Sequence, residues 1–162
     1  MTLYLLDANV LIRAHGDYYP LDRIEPFWAW LLEMAEAARV KIPAEIFAEV
    51  AGSPDLLGQW LRRPDVKRAL VLDEPTDMAF IQRVIANGYA PDLTDVEIEK
   101  LGRDPFLVAA AGGFPDRVVV TREVAKPTAQ RANRRLPDVC DTLGIRWTND
   151  FQLWRLLDFR IQ

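Results

Sequence analysis

In the stretch "LYLLDANVLI", residues 3–12, an apolar run is interrupted by Asp7 and Asn9 and then resumes. Four consecutive apolar residues at 3–6 are typical of a parallel strand that is buried on both faces. A second run, "RVVVT" at 117–121, is rich in β-branched residues and follows a Pro-Asp turn. It predicts another buried strand.

Helical patterns separate these strands. Between Leu21 and Arg39, apolar residues recur at helical spacing, which predicts an amphipathic helix of about five turns. The other predicted helices are "PAEIFAEVAG" at 43–52, residues 76–86, a helix opened by "TDVE" at 94–97 with capping-box spacing, "DPFLVAAA" at 104–111 and "FQLWRLLDF" at 151–159. Two weaker strand candidates are "VKIP" at 40–43 and "GIRWT" at 144–148. Strands that alternate with helices in this way predict an α/β fold with a parallel sheet.

Composition bounds the class of protein. The chain has 162 residues, of which 50% are hydrophobic, and we find no internal repeat or linker, so one domain over residues 1–162 is expected. The single Cys140 excludes an internal disulfide, and the lone His15 argues against a His-rich metal site. Without a basic leader or an apolar run of about 20 residues, we expect neither secretion nor a membrane span, and hence a cytoplasmic protein.

The charge distribution limits the ways in which the chain could bind nucleic acid. A formal charge of −4 and a pI near 5.1 argue against a protein that coats nucleic acid by bulk charge. A nuclease with an acidic site is still compatible with this charge. The segment "AKPTAQRANRR" at 125–135 gathers four basic residues with no acid among them: Lys126, Arg131, Arg134 and Arg135. It is either an ordinary solvated loop or a local RNA-contacting surface.

Four acidic residues stand at the ends of predicted elements. Asp7 ends the first strand, Glu49 lies late in the helix after "KIP", Asp104 begins a helix, and Glu123 follows the "VVVT" strand. Ligands of open parallel sheets bind at the carboxyl ends of strands, which makes these acids a candidate site. Each also has an ordinary explanation: the two aspartates as helix N-caps, the two glutamates as solvated surface acids.

The ordered set of these motifs resembles the PIN-domain family, metal-dependent ribonucleases that include many bacterial and archaeal toxins. "LLDANVLI" at 5–12 is similar to the family's first motif, and Glu49 lies on a Pro-initiated helix as the second acid does. Asp104 in "DPFLVAAA" resembles the third motif, and Thr121-Arg122-Glu123 resembles the T-x-D of the fourth. The resemblance implies a PIN-like three-layer α/β/α fold with a mostly parallel central sheet in a single domain.

Two features depart from the family pattern. The last acid is Glu123, where the family more often has aspartate, and the usual D-x-x-F continuation is missing. In its place, the basic segment 125–135 precedes a short helix and the last strand. We interpret the chain as a divergent, toxin-type branch of PIN-like proteins.

The resemblance implies a metal-dependent endoribonuclease. Asp7 and Asp104 would hold Mg²⁺ or Mn²⁺, with Glu49 and Glu123 completing the catalytic site directly or through water. A hard cation stabilises the negative charge that a phosphodiester accumulates under attack. The remaining implied roles are support of the site by Asn9 and Thr121, and contacts to RNA phosphates by Lys126, Arg131, Arg134 and Arg135. The implied partners are an RNA substrate, an antitoxin protein and a second copy of the chain.

Other functions remain open from the residues alone. One alternative is a PIN-like binding or regulatory module whose metal site has decayed. Another is a metal-dependent phosphohydrolase, although the second acid of the aspartyl-nucleophile type is replaced here by Asn9. A Ser or Cys hydrolase is disfavoured because the lone His15 lies in the first helix, and no Gly-rich loop indicates ATP or NAD.

Overall fold

A computed structural model describes residues 1–161 and shows a five-stranded sheet flanked by helices. The strands are β1 (Leu3–Leu6), β2 (Val40–Pro43), β3 (Val71–Leu72), β4 (Arg117–Val120) and β5 (Trp147–Thr148). Their order across the sheet is β3-β2-β1-β4-β5, and every pairing is parallel. The predicted three-layer α/β class is therefore confirmed.

Helices connect the strands and pack on the sheet. They are α1 (Ala8–Arg13), α2 (Glu25–Glu36), α3 (Ala44–Ala51), α4 (Leu56–Leu61), α5 (Pro64–Leu70), α6 (Met78–Val84), α7 (Asp95–Leu101), α8 (Asp104–Ala111), α9 (Leu136–Leu143) and α10 (Asp150–Leu156). α2 and α5 pack on each other and on β2. α3 and α8 also pack on each other, α3 against β2 and β3 and α8 against β1, β2 and β4. None of the helices within residues 1–161 is long and apolar enough to cross a membrane.

The two central strands form the middle of the core. Leu5 pairs with Val119 and Leu6 with Val120, and all four side chains are fully buried. From β1 the chain continues to β2 and β3 on one side, and it later returns to β4 and β5 on the other. The sheet order therefore reverses between β1 and β4. In open parallel sheets, ligands bind in the crevice beyond the carboxyl ends of the strands at such a point.

Several boundaries differ from the sequence prediction. The helix expected at 21–39 spans only Glu25–Glu36, because Pro26 is tolerated in a first turn but would break a helix interior. A left-handed backbone at Ala38, with φ of 57°, follows its end. Strand β3 was missed because its two residues directly follow α5, and β5 is shorter than the predicted 144–148. The capping box of Thr94 and Glu97 at the start of α7 is confirmed.

The C-terminal helix contributes to an aromatic cluster in the core. Phe27 lies at its centre, with the Tyr19 ring stacked on it at a centroid distance of 4.4 Å. The rings of Trp154 and Phe159 approach the same Phe27 edge-on, at 5.0 and 5.3 Å. Phe151, on the same helix, remains 39% exposed. Leu153 and Trp154 of α10 therefore pack inside the domain, whereas Phe151 and Leu156 face solvent.

Candidate functional site

Asp7 lies directly after β1, where its backbone N–H donates to the Val120 carbonyl of β4 at 2.9 Å. Its side chain is buried, and Oδ2 accepts a hydrogen bond from the Thr121 hydroxyl at 2.9 Å. Asp7 occupies the N-cap position of α1, but its carboxylate makes no capping hydrogen bond. The capping explanation therefore does not account for this carboxylate, whose burial without a cation is costly.

Asn9 and Thr121 tie the ends of β1 and β4 together. The buried Thr121 hydroxyl accepts from the Glu123 backbone N–H at 3.1 Å and, over a longer 3.5 Å, from the Asn9 side-chain amide. The Asn9 carbonyl oxygen accepts from the backbone N–H of Arg122 at 3.1 Å. Both residues that sequence reasoning gave supporting roles thus contact Asp7 or the loop that leaves β4.

Asp104 is the first residue of α8, which packs against β1 and β4. The N-cap position belongs to Arg103, so the interpretation of Asp104 as the helix cap is wrong. The pKa of Asp104 is raised to about 8, chiefly because its carboxyl group is desolvated. The negative charges of Asp7, Glu123 and Glu49 add to the increase, in that order.

The four acids proposed from the sequence lie within electrostatic reach of one another. The pKa of Asp7 is raised to about 6, mainly by burial; the Thr121 hydrogen bond opposes this increase, and the charges of Glu123 and Glu49 add to it. Glu49 is exposed on α3, a helix that packs against both α1 and α8. Two separate helices and two strand ends therefore deliver negative charge to one edge of the sheet.

The carboxylates nevertheless do not converge as a formed coordination site. Among residues 1–161, no group of three or more His, Cys, Asp or Glu side chains is arranged to hold a metal ion. Asp7 is bonded to Thr121, and Glu123 Oε2 accepts from the Leu136 backbone N–H at 2.9 Å. Like charges repel, and each of these two acids has its own donor to satisfy it. Their charges interact, but their oxygens do not share a centre.

A groove of about 710 Å³ runs beside two of the acids. Asp104 and Glu123 line it, together with the end of α7 and much of the basic segment 126–135. Its charged lining residues are Lys100, Lys126, Arg134 and Arg135, against Asp104 and Glu123. The four cations outnumber the two carboxylates, so the groove is electrostatically suited to a ligand that carries negative charge.

Two of the four basic residues proposed to contact RNA have structural partners instead. Arg131 forms ion pairs with Asp92 at 2.8 Å and with Glu97 at 3.0 Å, which fasten the loop to α7. Arg134 donates to the carbonyl oxygen of Gly88 and to the Thr142 hydroxyl. Both guanidinium groups are therefore occupied in holding the loop in place.

The other two basic residues are uncommitted. Within residues 1–161, neither the Lys126 ammonium nor the Arg135 guanidinium has a hydrogen-bond partner, and both side chains line the groove. The Lys126 backbone N–H donates to the buried Asp138 carboxylate at 2.7 Å, which fixes the start of the basic segment. Lys100, which the sequence analysis did not identify, reaches the same groove from α7 and donates to Asn133.

A family model matches residues 4–161, which is nearly the whole chain. The chain belongs to the DUF4411 family. That family is described as a domain of unknown function. No curated protein and no solved structure matches the chain. The function of this DUF4411 protein must therefore be argued from the side chains at its sheet edge.

Tyr89 is a residue of this DUF4411 chain that sequence reasoning missed. It lies at the end of a π-helical turn after α6, is 8% exposed and lines the groove beside Asp104. Its hydroxyl is buried, and in the described chain it has no hydrogen-bond partner, a loss of about 1–3 kcal/mol. Gly88 before it allows the close packing, because a Cβ there would lie 2.8 Å from Val139. Nothing in the sequence "NGY" signals this.

The same edge of the DUF4411 sheet carries a fifth acid with a different environment. Asp150, at the start of α10, is 1% exposed, and its Oδ1 accepts from Arg122 Nη1 at 2.9 Å. The Arg122 guanidinium also lies near the rings of Phe151 and Tyr18, at 5.0 and 5.7 Å from their centroids. This carboxylate therefore has a permanent cationic partner, unlike Asp7.

Proposed function

We propose that this DUF4411 protein is a PIN-like, divalent-metal-dependent ribonuclease. The observation that carries the proposal is the set of coupled carboxylates beyond β1 and β4: Asp7, Glu49, Asp104 and Glu123. They lie where the sheet order reverses, the usual position of a ligand site in this class of fold. They also follow the order and element positions of the acids in the PIN resemblance.

The donor chemistry fits Mg²⁺ or Mn²⁺. Both cations prefer oxygen ligands, and Mg²⁺ keeps several waters, so two or three carboxylates suffice. The raised pKa values of Asp7 and Asp104 are what such acids show without a counter-charge. Those two residues would hold the ion, with Glu49 and Glu123 completing the site after side-chain rotation. When bound, the ion would stabilise the phosphate's developing charge and lower the pKa of water.

The surrounding residues would orient the acids and bind the substrate. The Thr121 hydroxyl holds one oxygen of Asp7, and Asn9 holds the loop that carries Glu123. Lys126 and Arg135 have free cationic groups in the groove and would contact RNA phosphates. Arg131 and Arg134, which the sequence also suggested for this role, would instead support the loop because their partners are internal.

The decisive experiment compares RNA cleavage by the wild-type chain and by Asp7→Asn, with Mg²⁺ or Mn²⁺ and a mixed RNA pool. We expect metal-dependent cutting that falls by about 1,000-fold in Asp7→Asn, because several kcal/mol of transition-state stabilisation depend on the held ion. Asp116→Asn is the matched control, since Asp116 is exposed and directly precedes β4, which places it at the opposite edge of the sheet from these acids. Equal activity of wild type and a folded Asp7→Asn variant would refute the assignment.

A second candidate is a PIN-like binding module without catalysis. Two observations favour it: no group of acids within residues 1–161 is arranged to hold a metal, and one Glu123 oxygen is bonded to Leu136. Such a module would bind RNA in EDTA but neither cut it nor take up metal. Calorimetric titration with Mn²⁺ separates the two candidates, because only the ribonuclease needs the ion.

The remaining partners stay predictions of the PIN resemblance. An antitoxin would have to cover the acidic edge, and a second copy of the chain would have to use a surface outside the aromatic core. Light scattering on the purified chain measures whether it dimerises. Cytoplasmic location is likewise a prediction from the sequence.

A further inference from the structure

The Tyr89 hydroxyl is a hydrogen-bond donor that the described fold does not use. The tyrosine is 8% exposed, its hydroxyl oxygen is buried, and no partner within residues 1–161 accepts from it. Buried polar groups in proteins are nearly always hydrogen-bonded, so an orphaned hydroxyl calls for an explanation. Because Tyr89 lines the groove with Asp104 and Glu123, the natural source of an acceptor is a ligand in that groove.

The charges of the groove specify what kind of acceptor this is. Lys126 and Arg135 line the same groove and have no partner in the described chain. The Lys126 ammonium, the Arg135 guanidinium and the Tyr89 hydroxyl are thus three hydrogen-bond donors that have no acceptor within residues 1–161. A phosphate group supplies several acceptor oxygens and a negative charge at one position. The volume of about 710 Å³ is that of a small-ligand pocket, which suits a single strand and is too small for a duplex.

We propose that this groove is a phosphate subsite for single-stranded RNA, in which Tyr89, Lys126 and Arg135 bind one backbone phosphate beside the acidic site. Tyr89 is the most buried of the three, and its hydroxyl donates to a phosphate oxygen directly or through one water. The two cations lie nearer the solvent and bind the same phosphate by charge. The subsite rests on the proposed function for its ligand, but it is tested without catalysis.

The test is fluorescence anisotropy with a labelled, single-stranded RNA 10-mer of mixed sequence in EDTA. Lys126→Gln, Arg135→Gln and Tyr89→Phe are each expected to raise Kd by about three- to tenfold. Each lost cation should also reduce the slope of log Kd against log salt by about 0.7, whereas Tyr89→Phe should leave the slope unchanged. Lys67→Gln, on the exposed side of α5, is the matched control and should change neither quantity.

Thermal unfolding separates a binding role of Tyr89 from a structural one. Because the hydroxyl has no partner, Tyr89→Phe is expected to keep or raise Tm while it weakens RNA binding. A lowered Tm with an unchanged Kd would overturn the role of Tyr89. An unchanged Kd in all three variants, or tighter binding of a duplex of the same length, would overturn the subsite.

Cleavage measured separately with Mg²⁺ distinguishes this proposal from the ribonuclease. If the chain cuts RNA but the three variants bind as wild type does, the subsite is wrong and the enzyme assignment stands. If the chain binds RNA through these residues but never cuts, the subsite stands and the enzyme assignment is wrong. If it does neither, both proposals fail.

Discussion

Asp7 and Asp150 are both buried carboxylates at the carboxyl edge of the same sheet, yet their environments differ. Asp150 is paired with the Arg122 guanidinium and also accepts from the Phe151 backbone N–H. The Asp7 carboxylate accepts from the Thr121 hydroxyl and has no cationic partner within residues 1–161, and burial raises its pKa to about 6. The first carboxylate is neutralised by the fold itself. The second retains an uncompensated charge, which is typical of residues that meet a ligand.

The residues directly after β4 produce this difference. Thr121, Arg122 and Glu123 follow the strand in succession. Thr121 bonds to Asp7 and to the Glu123 backbone, whereas Arg122 turns away to Asp150. Two consecutive residues, Thr121 and Arg122, thus serve two carboxylates with opposite requirements.

The largest effect is expected from removing the cation of the structural pair. Arg122→Leu leaves Asp150 buried without a counter-charge and should lower the free energy of unfolding by about 3–5 kcal/mol in urea denaturation. The double variant Arg122→Leu/Asp150→Leu should recover much of this loss, because the orphaned charge is gone. A loss below 1 kcal/mol in the single variant would show that the two carboxylates do not differ as described.

The pH dependence of the unfolding free energy should report the titration of the other carboxylate, Asp7. A folded pKa of about 6 instead of 3.8 means that Asp7 holds its proton more tightly when folded, worth about 3 kcal/mol. In EDTA this contribution is present below pH 4 and is lost as the pH rises through 6. Asp104 extends the decline toward pH 8. Asp7→Asn should flatten the lower part of the curve, and a stability that rises from pH 4 to 8 would contradict this account.

The smallest effect concerns the Thr121 hydroxyl, which donates to the Asp7 carboxylate. Thr121→Val removes the donor to Asp7 Oδ2 and the acceptor of the Glu123 N–H, and should cost about 1–2 kcal/mol of unfolding free energy. It should also raise the pKa of Asp7 further, because the Thr121 hydrogen bond lowers it. NMR titration of the Asp7 carboxyl carbon measures this directly; Thr128→Val, in the exposed loop, serves as the control.

The sequence predicted well the strands that position this site. Buried runs such as Leu3–Leu6 and Arg117–Val120 signal parallel strands on their own, and a carboxylate directly after one of them marks the strand end. Parallel topology then places the carboxyl ends of β1 and β4 at the same edge of the sheet, and the strand order, which the sequence did not predict, makes them neighbours. That is why the electrostatic neighbourhood of Asp7, Asp104 and Glu123 follows from order and spacing.

The sequence could not predict which side chains form hydrogen bonds or ion pairs with each other, because these contacts join residues that are distant in sequence. Arg131 and Arg135 look equivalent in a basic run, but Arg131 is paired with Asp92 and Glu97, whereas Arg135 has no partner among residues 1–161. Likewise, Tyr89 gives no local sign that its hydroxyl lacks a partner. These outcomes are decided by how α7, α9 and the basic segment pack, which composition and periodicity do not encode.

The bond from the Leu136 N–H to Glu123 gives the site a built-in reporter. That amide is one of the donors that the start of a helix leaves free, so Glu123 closes the first turn of α9. The same helix carries Asp138, which holds the backbone of Lys126. A ligand that draws the Glu123 carboxylate away breaks this hydrogen bond, and hydrogen exchange of the Leu136 amide then becomes faster. The exchange rate of this one backbone amide therefore reports whether Glu123 is bound to a ligand.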